Sequence, residues 1–117
     1  MAAQSQTLAF GTLQSLDTSG LSGSYLFLGQ LSYPARIIKI TNNSTVDVTV
    51  STDGTTDMDI VPLGSFVLYD IGTNKGTSAP CTDFANGTSF FVKGSAGTGS
   101  VYLTYLYSVP FETLTGL

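Results

Sequence analysis

The sequence predicts an antiparallel β-sandwich of about eight strands, jelly-roll-like, as one domain over residues 1–117. Three observations point there. Thirteen glycines and four prolines punctuate the chain. No segment sustains the apolar period near 3.6 that marks an amphipathic helix. The runs between the punctuation are short and rich in Val, Thr and aromatics, the residues that suit a pleated, half-buried surface.

The elements follow in order. "QTLAFGTLQSL" (6–16) reads as the first extended run, and the Gly/Ser-rich "DTSGLSG" turns it into "SYLFLG" (24–29). "PARIIKIT" comes next, and "NNS" (42–44) reads as the turn into "TVDVTVST". There Val46, Val48 and Val50 alternate with Asp47 and Thr49, the period two of a strand with one buried face. A Pro-Leu-Gly bend enters the strand Ser65 to Ile71. The polar stretch "GTNKGTSAPCTDFANGT" leads through Asn86-Gly87 to "SFFVKG", and "SAGTG" connects that to the last strand, "SVYLTYLYSV". Short polar turns between strands read most simply as antiparallel hairpins, Asn-Gly being the strongest local signal of one. Parallel strands need long crossovers, usually helical, and the sequence shows none.

Several strands are apolar at odd and even positions alike: "SYLFL", "RIIKI", "SFVLY" and "VYLTYLY". A sandwich core covers only one face of each sheet. The second faces are therefore expected to meet either the chain's own N-terminal arm or other subunits.

Composition narrows the function. Hydrophobic residues make up 42% of the chain and charged ones only 10%, against about 25% in ordinary soluble domains. The polar surface must then be Ser, Thr, Asn and Gly. The net charge of -4 includes four basic residues, Arg36, Lys39, Lys75 and Lys93, too scattered for binding driven by phosphate neutralisation, so no nucleic-acid partner is expected. Histidine is absent, which removes the commonest general base and metal ligand. Tryptophan is absent too, leaving six tyrosines and seven phenylalanines for any aromatic platform. Cys81 is the single cysteine; it forms no intrachain disulfide and has no His to activate it, so it reads as a small filler. "MAAQSQTLAF" lacks the pattern of a signal peptide, and no apolar run reaches the roughly 20 residues of a membrane span. The expectation is a protein made in the cytoplasm with no membrane partner. The Asn-x-Ser/Thr matches at Asn42, Asn43 and Asn86 carry little weight in a Thr-rich chain.

The densest chemistry lies in "VSTDGTTDMDIVPLGS" (50–65), where Asp53, Asp57 and Asp59 cluster around an Asp-Gly dipeptide. An EF-hand loop needs its Gly at the sixth place and a terminal Glu; Gly54 follows the first Asp directly and the only Glu is Glu112. A shallow calcium site from these three carboxylates is the metal expectation that survives. Glycosidase chemistry needs carboxylates facing each other across a cleft, whereas Asp57 and Asp59 share one face of a strand and Asp53 belongs to a turn. No catalytic residue and no cofactor is assigned. "GSAGTG" (94–99) precedes a strand and lacks the Lys of a phosphate loop. Arg36 and Lys39 read either as gatekeeping charges at a strand edge or as contacts for an acidic partner. Tyr102, Tyr105 and Tyr107 read as core or interface anchors, with a sugar-binding face as the alternative.

Pro34-Ala35-Arg36 entering a strand, Asn42-Asn43, "STDG" at 51–54, the Pro62-x-Gly64-Ser65 bend, Asp70, Asn74-Lys75 and a closing "GTGSVYLTYLY" make residues 33–107 resemble a small structural protein of tailed-bacteriophage virions. The resemblance is to jelly-roll head decoration, or cement, proteins. It implies a non-enzymatic homo-oligomer, trimer or dimer, bound to the major capsid protein on the capsid surface and tying shell subunits together. The sequence departs from some cement proteins in lacking a longer, charged N-terminal arm. The segments expected to reach neighbours are N-terminal Leu8, Phe10 and Leu13 and C-terminal Pro110, Phe111, Leu114 and Leu117. A phage tail or connector component, or a receptor- or carbohydrate-binding sandwich, are the alternatives.

Overall fold

A computed structural model of the chain describes residues 6–70 and 84–110. Phe111, Leu114, Leu117 and Cys81 lie outside the described residues. Among the described residues nine strands form two antiparallel sheets: β1 (Gln6–Phe10), β2 (Gln14–Asp17), β3 (Leu26–Gln30), β4 (Ile37–Ser44), β5 (Val48–Ser51), β6 (Asp59–Val61), β7 (Phe66–Asp70), β8 (Ser89–Lys93) and β9 (Gly99–Pro110). The one helical element among the described residues is a 3-10 turn, Thr18–Gly20, capped by the Asp17 carboxylate accepting from Ser19 N–H.

The pairings define the topology. β1 and β2 both pair with β9, β3 with β8, β4 with β7, and β5 with β6. That is one long nested hairpin, whose outermost partners are Gln6 and Pro110 and whose innermost turn joins β5 to β6. Rolling it up adds the contacts β4·β9 and β5·β8. The first sheet runs β1/β2–β9–β4–β7 and the second β3–β8–β5–β6. This is a jelly roll.

The core is what the alternating valines and doubly apolar runs predict. Ile38 and Ile40 of β4 and Leu103 and Tyr105 of β9 face Val48 and Val50 of β5 and Phe90 and Val92 of β8, all buried. Val46 packs against this cluster from the turn before β5.

Four local expectations are corrected. The first run is two strands: Phe10 faces Leu106 and Gln14 faces Leu103, so the edge uses one residue more than β9 does and bulges at Gly11–Leu13. A Cβ on Gly11 would lie 2.1 Å from Tyr105 Cζ; only glycine lets the backbone cross that buried ring. The "NNS" segment is not a turn, because β4 runs through Ser44. Asn42 is fully buried, its Nδ2 donating to Val46 O at 2.8 Å and Val61 O at 2.9 Å, with its Oδ1 accepting from Ser44 Oγ at 2.5 Å. A buried amide with several satisfied bonds acts here as a tie between β4 and the second sheet.

The third correction concerns hairpins. Of the strands consecutive in sequence, β5 and β6 are paired with each other, while the connections from β2 to β3, β3 to β4, β4 to β5, β6 to β7, β7 to β8 and β8 to β9 change sheets. Asn86-Gly87 therefore joins no hairpin. Gly87 has φ +87° while no non-glycine residue among the described residues, Asn86 included, is positive, and Thr88 N–H donates to Ala85 O at 3.1 Å: a type II turn, whereas the hairpin type I′ needs positive φ at both central residues. Finally, β6 is a short strand beyond those the sequence predicts; Ile60 opposite Thr49 and Val61 opposite Val48 extend the second sheet by three residues.

Candidate functional site

The aspartate loop spans Thr52 to Met58, between β5 and β6. Asp53 closes the turn on itself: its Oδ1 accepts from the N–H groups of Thr55 and Thr56, both at 2.8 Å, and from Ser51 Oγ at 2.7 Å. Gly54, at φ +78°, donates its N–H to Ser51 Oγ at 3.0 Å. Bonds from the Thr56 and Thr55 amides hold the Asp53 carboxyl well below the usual carboxylate range. Asp57 reaches the other way, to Lys93 Nζ at 2.8 Å and the Tyr25 hydroxyl at 2.6 Å, while the Lys93 ammonium lies 4.8 Å from the Tyr25 ring centroid. Lys93 above all lowers the Asp57 carboxyl; burial, and then the bond to Asp57, push the Tyr25 phenol up to about 12.

Asp59 turns inward at the sheet edge. Its Oδ2 accepts from the Tyr69 hydroxyl and its Oδ1 from Ile60 N–H at 2.8 Å; burial, followed by this bond to Asp59, raises the Tyr69 phenol. The three aspartates thus face three different sets of partners. No three acidic, His or Cys side chains converge as a metal site among the described residues. The carboxylates of the expected calcium site are tied down one by one, Asp53 by a turn, Asp57 by an ion pair and Asp59 by a phenol. A cavity of about 210 Å³ opens beside Asp59, lined mainly by Val50, Met58, Tyr69, Phe84 and Phe90. It is apolar, and the two ionisable groups in its lining are bonded to each other.

The tyrosines of β9 do not form a sugar platform. Tyr105 and Tyr107 share a face, and that face is the interior: Tyr105 is buried, its hydroxyl accepting from Ser32 N–H at 3.1 Å, and Tyr107 stacks on Tyr33 with centroids 4.0 Å apart. The core-anchor reading of Tyr105 holds.

The two outer faces differ in how far the chain itself covers them. That of the second sheet is partly covered, with Phe27 52% and Ile60 58% exposed. The aspartate loop folds over it, with Gly54 in contact range of the Phe91 ring (a Cβ there would lie 3.7 Å from it), and the Asp57–Lys93–Tyr25 latch lies beside it. Its edges are protected in the ways sheets usually are: β6 has three residues, and β3 carries a register shift between Phe27 and Gly29. The Gln14 side chain also bonds both backbone groups of Gln30, Nε2 donating to Gln30 O and Oε1 accepting from Gln30 N–H, each at 2.9 Å.

The first sheet has no such cover among the described residues. Cross-strand neighbours Phe10, Leu106 and Ile37 form one outward row, Tyr102, Thr41 and Phe66 another, and Leu68 lies between them opposite Lys39. Phe10 is 71% exposed, Phe66 59% and Leu68 54%. With Leu8 this is on the order of 400 Å² of apolar surface, the size at which patches on monomers are often functional. β7 has no Pro, Lys or bulge to protect it. Lys39 is not an edge charge, since β4 lies between β9 and β7; its ammonium sits 5.7 Å from the Phe66 centroid. Arg36 donates from Nη1 to Ser108 Oγ at 3.0 Å. The N-terminal contact residues are likewise relocated: Leu8 and Phe10 belong to β1 rather than to a free arm, and Leu13, 60% exposed, lies on the bulge.

Sequence reasoning found the apolar second faces but missed the partners of the aspartates. Tyr25 is 32 residues from Asp57 in sequence, and no local pattern links them. Neither the protein-family models nor the curated proteins include a match to this chain. A solved structure of Bacillus endospore appendages, described as a novel family of disulfide-linked pili, is similar over 92% of each chain at 12% identity with a TM-score of 0.44.

Proposed function

We propose that this chain is a structural, non-catalytic virion protein of the capsid-decoration type, which binds an assembled shell through the outer face of its β1/β2–β9–β4–β7 sheet. The observation that carries the proposal is the outer face of the first sheet, which presents Phe10, Phe66 and Leu68 outward, whereas the aspartate loop and its latch cover part of the second sheet's outer face and leave Phe27 and Ile60 exposed there. Exposed aromatic and aliphatic side chains on the edge strands, set beside Thr41, Thr104 and the cation Lys39, give a face rich in the residue types enriched at interfaces. The capsid as partner comes from the sequence resemblance. Burial of Tyr105 and stacking of Tyr107 on Tyr33 weigh against the carbohydrate-binding alternative.

The test is co-sedimentation of the purified protein with expanded empty shells of its own phage, together with the shells' disruption temperature. Wild type is expected to bind and to raise that temperature, and the double variant Phe66→Asp, Leu68→Asp to do neither while keeping its own melting temperature within a few degrees. Failure of wild type to bind, or undiminished binding by the variant, overturns the reading.

A further inference from the structure

We propose that Asn86 is a site of spontaneous deamidation that the folded turn holds shut, so that its modification records opening of the β3–β8 end of the sandwich. Asn86 is exposed and is followed by Gly87, the residue that least hinders attack by its own backbone nitrogen on the preceding side chain. In that reaction the Gly87 N–H loses its proton and the nitrogen bonds to Asn86 Cγ. The Cγ–Nδ2 bond breaks, and ammonia leaves carrying the proton by way of solvent. Water then opens the five-membered imide at either carbonyl, giving an aspartyl or an isoaspartyl linkage with no oxidation or reduction.

The fold obstructs the first step. Gly87 N–H donates to Leu31 O at 2.9 Å, and Leu31 N–H donates back to Thr88 O at 2.9 Å. Leu31 is itself buried, so the acceptor cannot withdraw without pulling a side chain from the core. Gln30 Nε2 holds Gly87 O at 3.1 Å, and Thr88 Oγ1 donates to Ala85 O at 2.7 Å across the turn. The nucleophilic nitrogen is therefore a committed donor on a clamped backbone. The modification itself is irreversible. An isoaspartyl linkage adds a main-chain carbon between Ala85 and Thr88 and breaks the spacing on which the turn's own bond depends.

The experiment is peptide mass spectrometry of the full-length protein after incubation at mildly alkaline pH, native and in urea, following the one-dalton gain at Asn86. Modification is expected to be at least about tenfold slower in the native protein, the protection that a closed hydrogen-bonded turn confers through its opening equilibrium. Thr88→Val, which removes one clamp and keeps the shape, is expected to raise the native rate several-fold and leave the rate in urea unchanged. Equal wild-type rates with and without urea, no modification in urea, or a native rate unaltered by Thr88→Val would each overturn the proposal.

Discussion

Replacing Asn42 by Ala tests the tie between the two sheets. The side chain is fully buried in β4, and its amide supplies one bond to Val46 O and one to Val61 O while accepting a third from Ser44 Oγ. Val46 O can accept instead from the Ser44 hydroxyl that Asn42 releases, its Oγ lying 3.1 Å away, so its loss is about 1 kcal/mol, the net value of an ordinary hydrogen bond. Val61 O sits on the buried side of a short edge strand, and losing its side-chain donor costs about 1–3 kcal/mol. The space left by the amide adds about 1 kcal/mol more. Asn42→Ala is therefore expected to destabilise the protein by about 3–5 kcal/mol, a large part of the ~5–15 kcal/mol typical of a domain. Urea unfolding should show the midpoint falling with the slope unchanged. The exposed neighbour Asn43→Ala is the control, expected within about 0.5 kcal/mol of wild type. A loss below about 1 kcal/mol for Asn42→Ala, or equal losses at both positions, refutes the tie.

Three further outcomes follow from the loop and the bulge. Asp53 and Asp57 have folded-state values below the ordinary 3.8, so the stability they contribute is present above that value and lost as pH falls through their lowered values. Melting temperature should accordingly drop on acidification below about pH 4, and less steeply in the Asp53→Asn, Asp57→Asn variant; parallel curves would contradict the assignment. At the alkaline end Tyr25 is protonated in its bonded form and raised from 10.0 to about 12, so its contribution is complete below the ordinary value and fades towards the raised one. Spectrophotometric titration should lose a late-titrating phenol in Tyr25→Phe. Gly11→Ala, with its Cβ 2.1 Å from the buried Tyr105 ring, should cost about 1–3 kcal/mol by overpacking. Gly20→Ala, where nothing lies within 4 Å, should be neutral or slightly stabilising; similar melting temperatures for the two would refute the close approach.

Much of the secondary structure was legible because burial leaves a local trace. Val46, Val48 and Val50 alternate in sequence because β5 has one face on the core. The long closing strand was readable because "SVYLTYLYSV" contains no breaker until Pro110. The outward Phe66 and Leu68 were legible as a surplus of apolar positions beyond what one core can hold. The readings that failed share a cause: a local signal was given a non-local meaning. Asn86-Gly87 makes a tight turn, as its residues demand, but whether the strands it leads between pair depends on β3 reaching β8 from 57 positions away, as the Gln30 bond to Gly87 illustrates. Asn42-Asn43 looks like a turn because Asn usually satisfies its amide locally; here the carbonyl of Val61, brought in by the second sheet, satisfies it instead.

By itself, then, the sequence determined an all-β chain of short strands, its inward residues, and a surface poor in charge, since each of these follows from side-chain type and period two along a few residues. The tertiary structure alone decided that the strands nest as one rolled hairpin closed by Gln6 opposite Pro110. It also decided that the three aspartates separate to a turn, to Lys93 and to Tyr69, and that the aspartate loop covers part of the second sheet's outer face while the first sheet has no such cover among the described residues. Those are consequences of which distant strands become neighbours, and the free energy that selects them resides in pairings and burial formed only when the whole chain has closed.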